Sequence, residues 1–440
     1  MADTSATAVG KMAANSLNRL HLGALSMAFK LAHLSDIHAG YRSGRRLNDE
    51  GVNIREQDGY NALEQMISEI IESSVDAVVI AGDTIHVPEP HIRELIEVQR
   101  QLRRLADAGI KVYMLGGNHE STDVRADISA SRIFDDPWRG LHSYAEPYNK
   151  IEIADGIFLH IVSHHMYQDQ AETMSKIKAV DGAVNLFSTH GSVIDPLLQI
   201  ALHAERSPRE IVIPDELLED QDWDYILLGH IHERGWVGSK DQKTDTYGSR
   251  IYYNGSLLRR GFSDKEVPLG KGWTLWTIEP DGTVTPEIKT VRQRTQLDFT
   301  PIDAAKISAS EVTDLIIANL RSSQEDGVRF IEETAPILRQ QIVNLSPAKN
   351  IGVDWSAVEK ERAHSLMFLP RTVAPDQVEN SGNTIDSGLF TRNADVVQVY
   401  DGWAANSATL SELSEETRDK ARTEARRFVQ QGQEENLSDD

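Results

Sequence analysis

The sequence predicts an α/β protein whose first half is built on a largely parallel β-sheet. Short apolar segments alternate with amphipathic segments of helical period between residues 29 and 115. This alternation is typical of repeated βαβ units. The chain has 440 residues, of which 40% are hydrophobic, so it is long enough for two or three domains with their own cores.

The secondary-structure elements can be assigned in chain order from these patterns. Strands are predicted at 29–34, 77–81 and 111–115, with helices at 62–71 and 92–105. Later strands are predicted at 157–162, 184–188, 225–228, 251–253 and 273–278. Because the connections between these later strands are shorter, some of them are expected to be antiparallel. Residues 238–248 are polar and are predicted to form a hairpin insertion.

The β pattern is predicted to end near Arg294, and four segments are expected along the chain. They are a loose N-terminal extension at 1–26, a main domain at 27–295, a smaller α+β cap domain at 296–404 and a C-terminal helical segment at 405–440. Met27 directly precedes the first strand and is the alternative functional start to Met1.

Two helix starts are predicted in the second half from capping boxes. Ser308 and Glu311 precede an apolar stretch in the cap. Thr409 opens a last helix that is predicted to continue to Gln431. One face of this last helix carries Leu410 and other apolar residues, so it would either pack on its own cap or bind a partner helix.

Composition limits the classes of function. The chain contains no cysteine, which excludes disulfides, thiolate metal ligands and a cysteine nucleophile and fits a reducing cytoplasm, or the host cytoplasm for a viral chain. No apolar run approaches the ~18 residues of a membrane span, so no membrane partner is expected. The formal net charge of −23 predicts weak affinity for nucleic acid unless a partner protein helps.

Five short polar motifs directly follow predicted strands. They are Asp36-Ile37-His38, Gly82-Asp83, Gly117-Asn118-His119-Glu120, Thr189-His190-Gly191 and Gly229-His230-Ile231-His232. Ligand sites of open α/β sheets lie at the carboxyl ends of strands, so these motifs are expected to converge. Carboxylate, amide and imidazole donors without thiolates suit divalent ions such as Mn²⁺.

The residue types also indicate a reaction. Two adjacent ions need a shared ligand, and the carboxylate of Asp83 is the natural bridge. A water between two such ions loses a proton near neutral pH and can attack phosphorus in line. His119 neighbours a ligand without needing to be one, which suits a proton donor to the leaving oxygen.

In order and spacing, the five motifs resemble those of the calcineurin-like metallophosphoesterases. The resemblance implies a four-layer α/β/β/α sandwich that binds two divalent ions, Mn²⁺ or alternatively Mg²⁺. It implies one ion bound by Asp36, His38, Asp83 and His232, and a second bound by Asp83, Asn118, His190 and His230. It also implies that His119 is the catalytic histidine.

Further segments resemble the SbcD-type subunit of bacterial DNA nucleases. They are residues 33–40, Arg55-x-x-Asp58, Tyr253-Asn-Gly-Ser-Leu-Leu-Arg259 with Phe262, and Lys271-Gly-Trp273. His86 stands where archaeal and eukaryotic relatives of SbcD carry a histidine that contacts the DNA backbone and is linked to exonuclease action. Arg259 and Arg260 are candidate phosphate contacts.

This second resemblance implies a nuclease of DNA repair or recombination. The expected activity is 3′→5′ exonuclease action on double-stranded DNA ends, with endonuclease action in addition. The expected partners are a second copy of the chain and an SMC-like ATPase of the SbcC type. Two alternatives stay open: a phosphoesterase for small phosphodiesters, nucleotides or phosphoproteins, and a subunit that tethers DNA ends. His33 is predicted to be a packed core residue.

Overall fold

The computed structural model describes ten ranges of the chain. They are residues 27–120, 129–144, 148–163, 176–193, 212–214, 217–218, 222–237, 250–262, 270–324 and 330–373. The predicted N-terminal extension, the insertion at 238–248 and the C-terminal segment at 405–440 lie outside them. Within the described ranges, no helix has the length and apolar character needed to cross a membrane.

The described ranges contain fifteen strands, five α-helices and three 3-10 helices. The strands are β1 (Phe29–Leu34), β2 (Ala77–Ala81), β3 (Lys111–Leu115), β4 (Leu141–Tyr144), β5 (Tyr148–Ala154), β6 (Ile157–Val162), β7 (Val184–His190), β8 (Tyr225–Gly229), β9 (Gly235–Trp236), β10 (Ile251–Tyr253), β11 (Gly272–Ile278), β12 (Val284–Thr290), β13 (Gln296–Asp303), β14 (Ile337–Val343) and β15 (Met367–Val373). The α-helices are α1 (Ile54–Glu72), α2 (Ile92–Asp107), α3 (Ala309–Ser322), α4 (Pro347–Ile351) and α5 (Trp355–Glu361). The 3-10 helices are Ala130–Phe134, Pro137–Arg139 and Arg362–His364.

Two six-stranded sheets form the main part of the described chain. The first has the order β12-β11-β1-β2-β3-β4, and its strands β1 to β4 are parallel. The second has the order β5-β6-β7-β8-β10-β9, with β6, β7, β8 and β10 parallel. The antiparallel strands lie at the sides of these parallel blocks. The predicted α/β class with a largely parallel sheet is confirmed.

Apolar side chains define the layers. One face of the first sheet packs on α1 and α2 through residues such as Ile80, Met66 and Leu102. Its other face packs on the second sheet, where Val79 belongs to the same apolar cluster as Leu186. A third cluster covers the remaining face of the second sheet. The stacking of helices on a sheet that packs on another sheet agrees with the predicted sandwich.

The smaller sheet shows that the β pattern continues beyond Arg294, which corrects the predicted end. Its order is β13-β14-β15, with both pairs parallel. Helix α3 covers it through buried residues such as Val312 and Ile316. The predicted capping box at the start of α3 is confirmed, because the Ser308 hydroxyl accepts from the backbone N–H of Glu311 while the Glu311 carboxylate accepts from that of Ser308.

Candidate metal centre

All seven predicted metal ligands lie at or just after the carboxyl ends of strands. Those from the first sheet follow β1, β2 and β3, and those from the second sheet end β7 or follow β8. They are Asp36, His38, Asp83, Asn118, His190, His230 and His232. The parallel direction of these strands brings the five motifs together, although nearly 200 residues separate the first motif from the last.

Asp36, His38 and His232 form the first cluster. Their ligand atoms all lie within 4.8 Å of one another. The Nε2 atoms of His38 and His232 are 3.1 Å apart, and each lies 3.8–3.9 Å from Oδ1 of Asp36. Oδ2 of Asp83 is 3.6 Å from Nε2 of His38. The first predicted ligand set is therefore assembled.

Asp83, Asn118, His190 and His230 form the second cluster. Oδ1 of Asn118 lies 2.9 Å from Nε2 of His190 and 3.1 Å from Nδ1 of His230. Oδ2 of Asp83 is 3.3 Å from Nε2 of His190. The same oxygen therefore faces a ligand of each cluster, which is the position that a bridging carboxylate needs.

The donor set fits two divalent cations. Imidazole nitrogens, two carboxylates and one amide oxygen converge at separations of about 3–4 Å, and such a mixed oxygen and nitrogen donor set suits divalent cations. Nδ1 of His190 bonds the backbone carbonyl of Ala81 at 2.8 Å. This contact leaves Nε2 for the cluster, as a second hydrogen bond does in metal-ligating histidines.

The backbone is strained at four of the predicted ligands. Asp36, His38 and Asp83 have φ values of 49–52°, and His230 has a φ of 100°. Residues other than glycine rarely adopt positive φ, and each such residue costs of the order of 1–3 kcal/mol. Two further non-glycine residues with positive φ occur elsewhere in the described ranges. The concentration of strain at the two clusters indicates a functional site.

Two glycines allow the strands to approach the clusters closely. A Cβ atom on Gly117 would lie 2.1 Å from Oδ1 of Asp83, and one on Gly229 would lie 2.0 Å from the carbonyl oxygen of Ala81. Neither position has room for a side chain. The glycines that precede Asn118 and His230 therefore permit this close approach.

Electrostatics divides the clusters into neutral and charged groups. Burial, followed by the charge of Arg260, lowers the pKa values of His38 and His232 well below normal, so both imidazoles are neutral. Burial raises the pKa of Asp36 to about 6. Burial opposes charge on His190, but Asp83, Asp36 and the hydrogen bond to the Ala81 carbonyl together outweigh it and raise the His190 pKa to about 9. Asp83 stays ionised because His190 and His119 offset its burial and lower its pKa.

His119 and His86 lie together at the side of the first cluster. Their rings stack with centroids 5.1 Å apart, and Nδ1 of His119 lies 2.8 Å from the carbonyl oxygen of His86, to which it donates. That bond turns Nε2 of His119 towards Oδ2 of Asp83 at 4.0 Å. Nδ1 of His86 is 3.3 Å from Nδ1 of His38. Burial, then Arg260, lowers the His86 pKa to about 3.

The two candidate arginines point in different directions. Nη1 of Arg260 lies 3.3 Å from Nε2 of His232, and its guanidinium lies over the ring of Tyr41 at 4.6 Å. Arg259 instead donates to the carbonyl of Gly261 and lies 6.0 Å from the ring centre of Phe262. Arg260 is therefore the one that borders the metal centre.

Sequence reasoning missed three residues that shape the site. Tyr41 lies against both Arg260 and the His86 ring. The carboxylate of Glu120 accepts from the backbone N–H groups of Ile85 and Gly117, so it ties two ligand loops together. Lys271 donates to the carbonyl of His232 at 2.7 Å. Only Glu120 and Lys271 stood in quoted motifs, and neither motif indicated these contacts.

The predicted core role of His33 is confirmed. The residue is buried in the first sheet, and its ring packs edge-on against Tyr252 with the centroids 6.3 Å apart. Burial, followed by Arg234, lowers the His33 pKa to about 3.

Comparison with known proteins gives the family. A model described as calcineurin-like phosphoesterase matches residues 29–234, the span that holds all seven predicted ligands. The DNA double-strand break repair protein Mre11 of Halobacterium salinarum is 36% identical over 299 residues, which are 68% of each chain. The chain belongs to the Mre11 group of the calcineurin-like phosphoesterases. The predicted family is confirmed.

Two other relatives of this group match over less of their own length. The Mre11 protein of Haloferax volcanii is 25% identical over 341 residues, which are 75% of this chain and 65% of that protein. The chain spans 60% of the Methanopyrus kandleri protein of the same name, so it covers less than two thirds of these two relatives. A solved dimetal phosphatase from Danio rerio is 11% identical, covers 59% of this chain and 98% of its own, and has a TM-score of 0.34, too low to carry an argument.

Proposed function

We propose that this chain is a metal-dependent DNA nuclease that hydrolyses phosphodiester bonds at double-stranded ends. The proposed action is 3′→5′ exonucleolytic, with endonuclease action in addition, in DNA repair or recombination. The observation that carries the proposal is the assembly of both ligand clusters around Oδ2 of Asp83 in a chain of the Mre11 group. The proposed metal is Mn²⁺.

The chain would hold the two ions with distinct sets of side chains. Asp36, His38 and His232 would bind one, Asn118, His190 and His230 the other, and Asp83 would contact both. The ions would supply Lewis acidity for the phosphate oxygens and an acidified water as nucleophile. The strained, buried loops would hold the ligand side chains in place before the ions bind. This would lower the entropy that these side chains lose on binding the ions.

His119 would deliver the proton that the leaving oxygen needs. Its Nδ1 proton is committed to the His86 carbonyl at 2.8 Å, so the proton to be transferred sits on Nε2, which faces the clusters. The ring is one-third exposed, so bulk water can reload it. General acid catalysis of this type is worth roughly 10²–10⁴-fold in rate.

Arg260 and His86 would hold the phosphodiester beside the ions. The Arg260 guanidinium can donate two parallel hydrogen bonds to a phosphate, and Tyr41 below it restricts its direction. His86 is neutral and can donate a hydrogen bond to the DNA backbone without adding charge. Arg259 turns to Phe262, so its contribution to phosphate binding would be smaller.

The proposed assembly is a homodimer that works with an SMC-like ATPase of the SbcC type in the cytoplasm. The formal net charge of −23 supports a need for a partner, since few phosphates can be neutralised by this chain alone. The absence of cysteine supports a reducing compartment.

One assay separates this function from its two alternatives. Purified protein with Mn²⁺ is incubated with labelled duplex DNA and, separately, with bis-p-nitrophenyl phosphate. We expect hydrolysis of both. Hydrolysis of the small ester alone would favour a small-substrate phosphoesterase, which the acidic charge supports. Activity on neither substrate, with DNA binding retained, would favour a subunit that tethers DNA ends.

A further inference from the structure

A buried set of ion pairs joins helix α1 to the start of the cap. The Asp58 carboxylate accepts from Arg55 at 2.7 Å and, through both of its oxygens, from Arg294 at 2.6 and 2.7 Å. The Arg55 and Arg294 side chains are only 2% and 3% exposed. Arg294 also donates to the carbonyls of Glu332 and Ala335, both at 2.8 Å. We name these three residues the Arg55–Asp58–Arg294 network.

The network also holds the segment that carries Arg260. The second terminal nitrogen of Arg55 donates to the carbonyl of Arg259 at 2.8 Å, and the Gln296 amide donates to the same oxygen at 2.9 Å. Gln293 accepts from the Arg259 N–H at 2.9 Å and donates to the carbonyl of Leu257. The backbone immediately before Arg260 is therefore fixed at both its N–H and its C=O.

The opposite side of this segment touches the metal ligands. The backbone N–H of Ser256 donates to the carbonyl of His232, and that of Leu257 donates to the carbonyl of Asp36, both at 3.1 Å. Residues 254–260 thus lie between the ligands on one side and the network on the other. A shift of this segment would move Arg260 relative to the metal centre.

We propose that Arg55 is a positioning residue for Arg260, and that it acts by holding the Arg259 carbonyl while Asp58 and Arg294 hold Arg55. The inference rests on the proposed function in one respect, the binding of a substrate phosphate by Arg260. Arg55 itself is buried behind the segment and would not touch substrate. Its fork of donors bonds Asp58 and the Arg259 carbonyl at once, which the single ammonium of a lysine cannot reproduce.

The test is a double-mutant cycle between Arg55→Lys and Arg260→Ala. Each variant, and the pair, is assayed for kcat and KM on bis-p-nitrophenyl phosphate with Mn²⁺, and for binding of inorganic phosphate to the Mn²⁺-loaded protein. Arg260→Ala should weaken phosphate binding and raise KM by roughly tenfold or more, the usual worth of a charged hydrogen bond. Arg55→Lys should raise KM by about three- to tenfold with kcat changed much less.

The decisive result is non-additivity, because coupled residues fail to add in such cycles. When Arg260 is already replaced by alanine, the further substitution Arg55→Lys should raise KM by less than about twofold. Arg104→Lys is the matched control, since Arg104 also bridges to α1 through the Ser68 hydroxyl but does not contact residues 254–260. It should leave KM and phosphate binding unchanged.

Additive effects of the two substitutions would overturn the inference, as would a loss of Mn²⁺ affinity that accounts for the whole effect of Arg55→Lys. The proposed function fails separately, if the unaltered protein does not hydrolyse duplex DNA, whether or not it hydrolyses the ester. Phosphate binding still decides the cycle in that case, because it needs no turnover. If Arg55→Lys is poorly folded, Gln296→Leu removes the other donor to the Arg259 carbonyl and should give the same KM-selective, non-additive pattern.

Discussion

His119 lies beside both candidate ligand clusters without belonging to either, and its hydrogen bond to the His86 carbonyl fits the proposed role of proton donor. Because Nδ1 is held by the His86 carbonyl, substitution of His119 should remove a proton donor and leave the ligands in place. The predicted ligands Asp36, His38, Asp83 and His230 differ from His119 because each has a strained backbone with a positive φ. Single substitutions should therefore separate the binding of metal ions from the catalysis of hydrolysis.

The first prediction concerns His119→Ala. We expect two bound metal ions and a rate on DNA that is lower by roughly 10²–10⁴-fold. The loss on bis-p-nitrophenyl phosphate should be much smaller, because p-nitrophenolate leaves without protonation. His142→Ala, on β4 at the side of the first sheet, is a control that should change neither rate. Equal losses of the His119 variant on both substrates would show that this residue does something else.

The second prediction concerns the pH dependence of metal binding. Asp36, with a pKa of about 6, and His190, with a pKa of about 9, must lose their protons before they ligate a cation. Mn²⁺ affinity should therefore rise with pH up to about pH 9, by up to about tenfold per pH unit, through loss of the His190 proton, and more steeply below about pH 6, where Asp36 must also lose its proton. Calorimetric titration in buffers of different ionisation enthalpy measures both the affinity and the protons released. A constant affinity over this range would contradict the assignment.

At the scale of elements, strands buried on both faces were predictable and elements held by polar contacts were not. Strand β2 is a continuous apolar run and was predicted to the residue. Helix α1 begins at Ile54 rather than at the predicted residue 62. Its first turns are polar, and Glu56 is buried there by Arg42 and the Tyr60 hydroxyl. Because polar residues occupy these first turns, the sequence there lacks the hydrophobic periodicity by which a helix is recognised.

The site shows the same division. The convergence of the candidate ligands was predicted because each motif directly follows a strand, and their division between two ions was implied by the resemblance to the calcineurin-like metallophosphoesterases. The contact of Tyr41 with Arg260 and the two bonds of Glu120 depend on loops that meet only in the folded chain. Strands β9 and β12 were missed because one has two residues and the other is a largely exposed strand at the side of its sheet.

The third prediction tests the close approach of β8 and β2. Gly229→Ala would place a Cβ atom 2.0 Å from the Ala81 carbonyl. It should lower the free energy of unfolding by about 1–3 kcal/mol, as overpacking does, and reduce hydrolysis because His230 is displaced. Gly59→Ala, in α1 with its nearest neighbour at 3.5 Å, should instead add up to about 1 kcal/mol. Denaturant unfolding measures the stability of both variants. An unchanged free energy of unfolding for the Gly229 variant would contradict the close approach of β8 to β2.

At the scale of the whole molecule, the negative net charge of the chain opposes the binding of the proposed DNA substrate. A protein with a net charge of −23 carries a centre that suits a polyanionic substrate. Favourable contacts with DNA depend on neutralising phosphates and releasing counterions. In the proposed mechanism, the metal ions and Arg260 would provide such contacts at one phosphate, so affinity along a duplex should come from elsewhere.

The fourth prediction follows from that charge. The chain alone should bind duplex DNA weakly at physiological salt, and its complex with an SMC-like ATPase should bind more tightly and lose affinity more steeply as salt rises. Removal of residues 406–440, which lie outside the described ranges, should abolish the effect of the partner and leave hydrolysis of bis-p-nitrophenyl phosphate intact. If the segment packs on its own cap instead, its removal should lower the melting temperature and leave partner binding intact. Tight DNA binding by the full-length chain alone would contradict the partner requirement.

The central claim is that one oxygen of Asp83 faces both clusters because Asp83 bridges two metal ions. The most direct measurement is a crystal structure of the Mn²⁺-loaded protein with anomalous differences recorded for manganese. Two peaks about 3.5–4 Å apart are expected, both within bonding distance of the Asp83 carboxylate, and Asp83→Ala should lose the pair together with all hydrolysis. A single peak, or two peaks that Asp83 does not contact, would contradict the account.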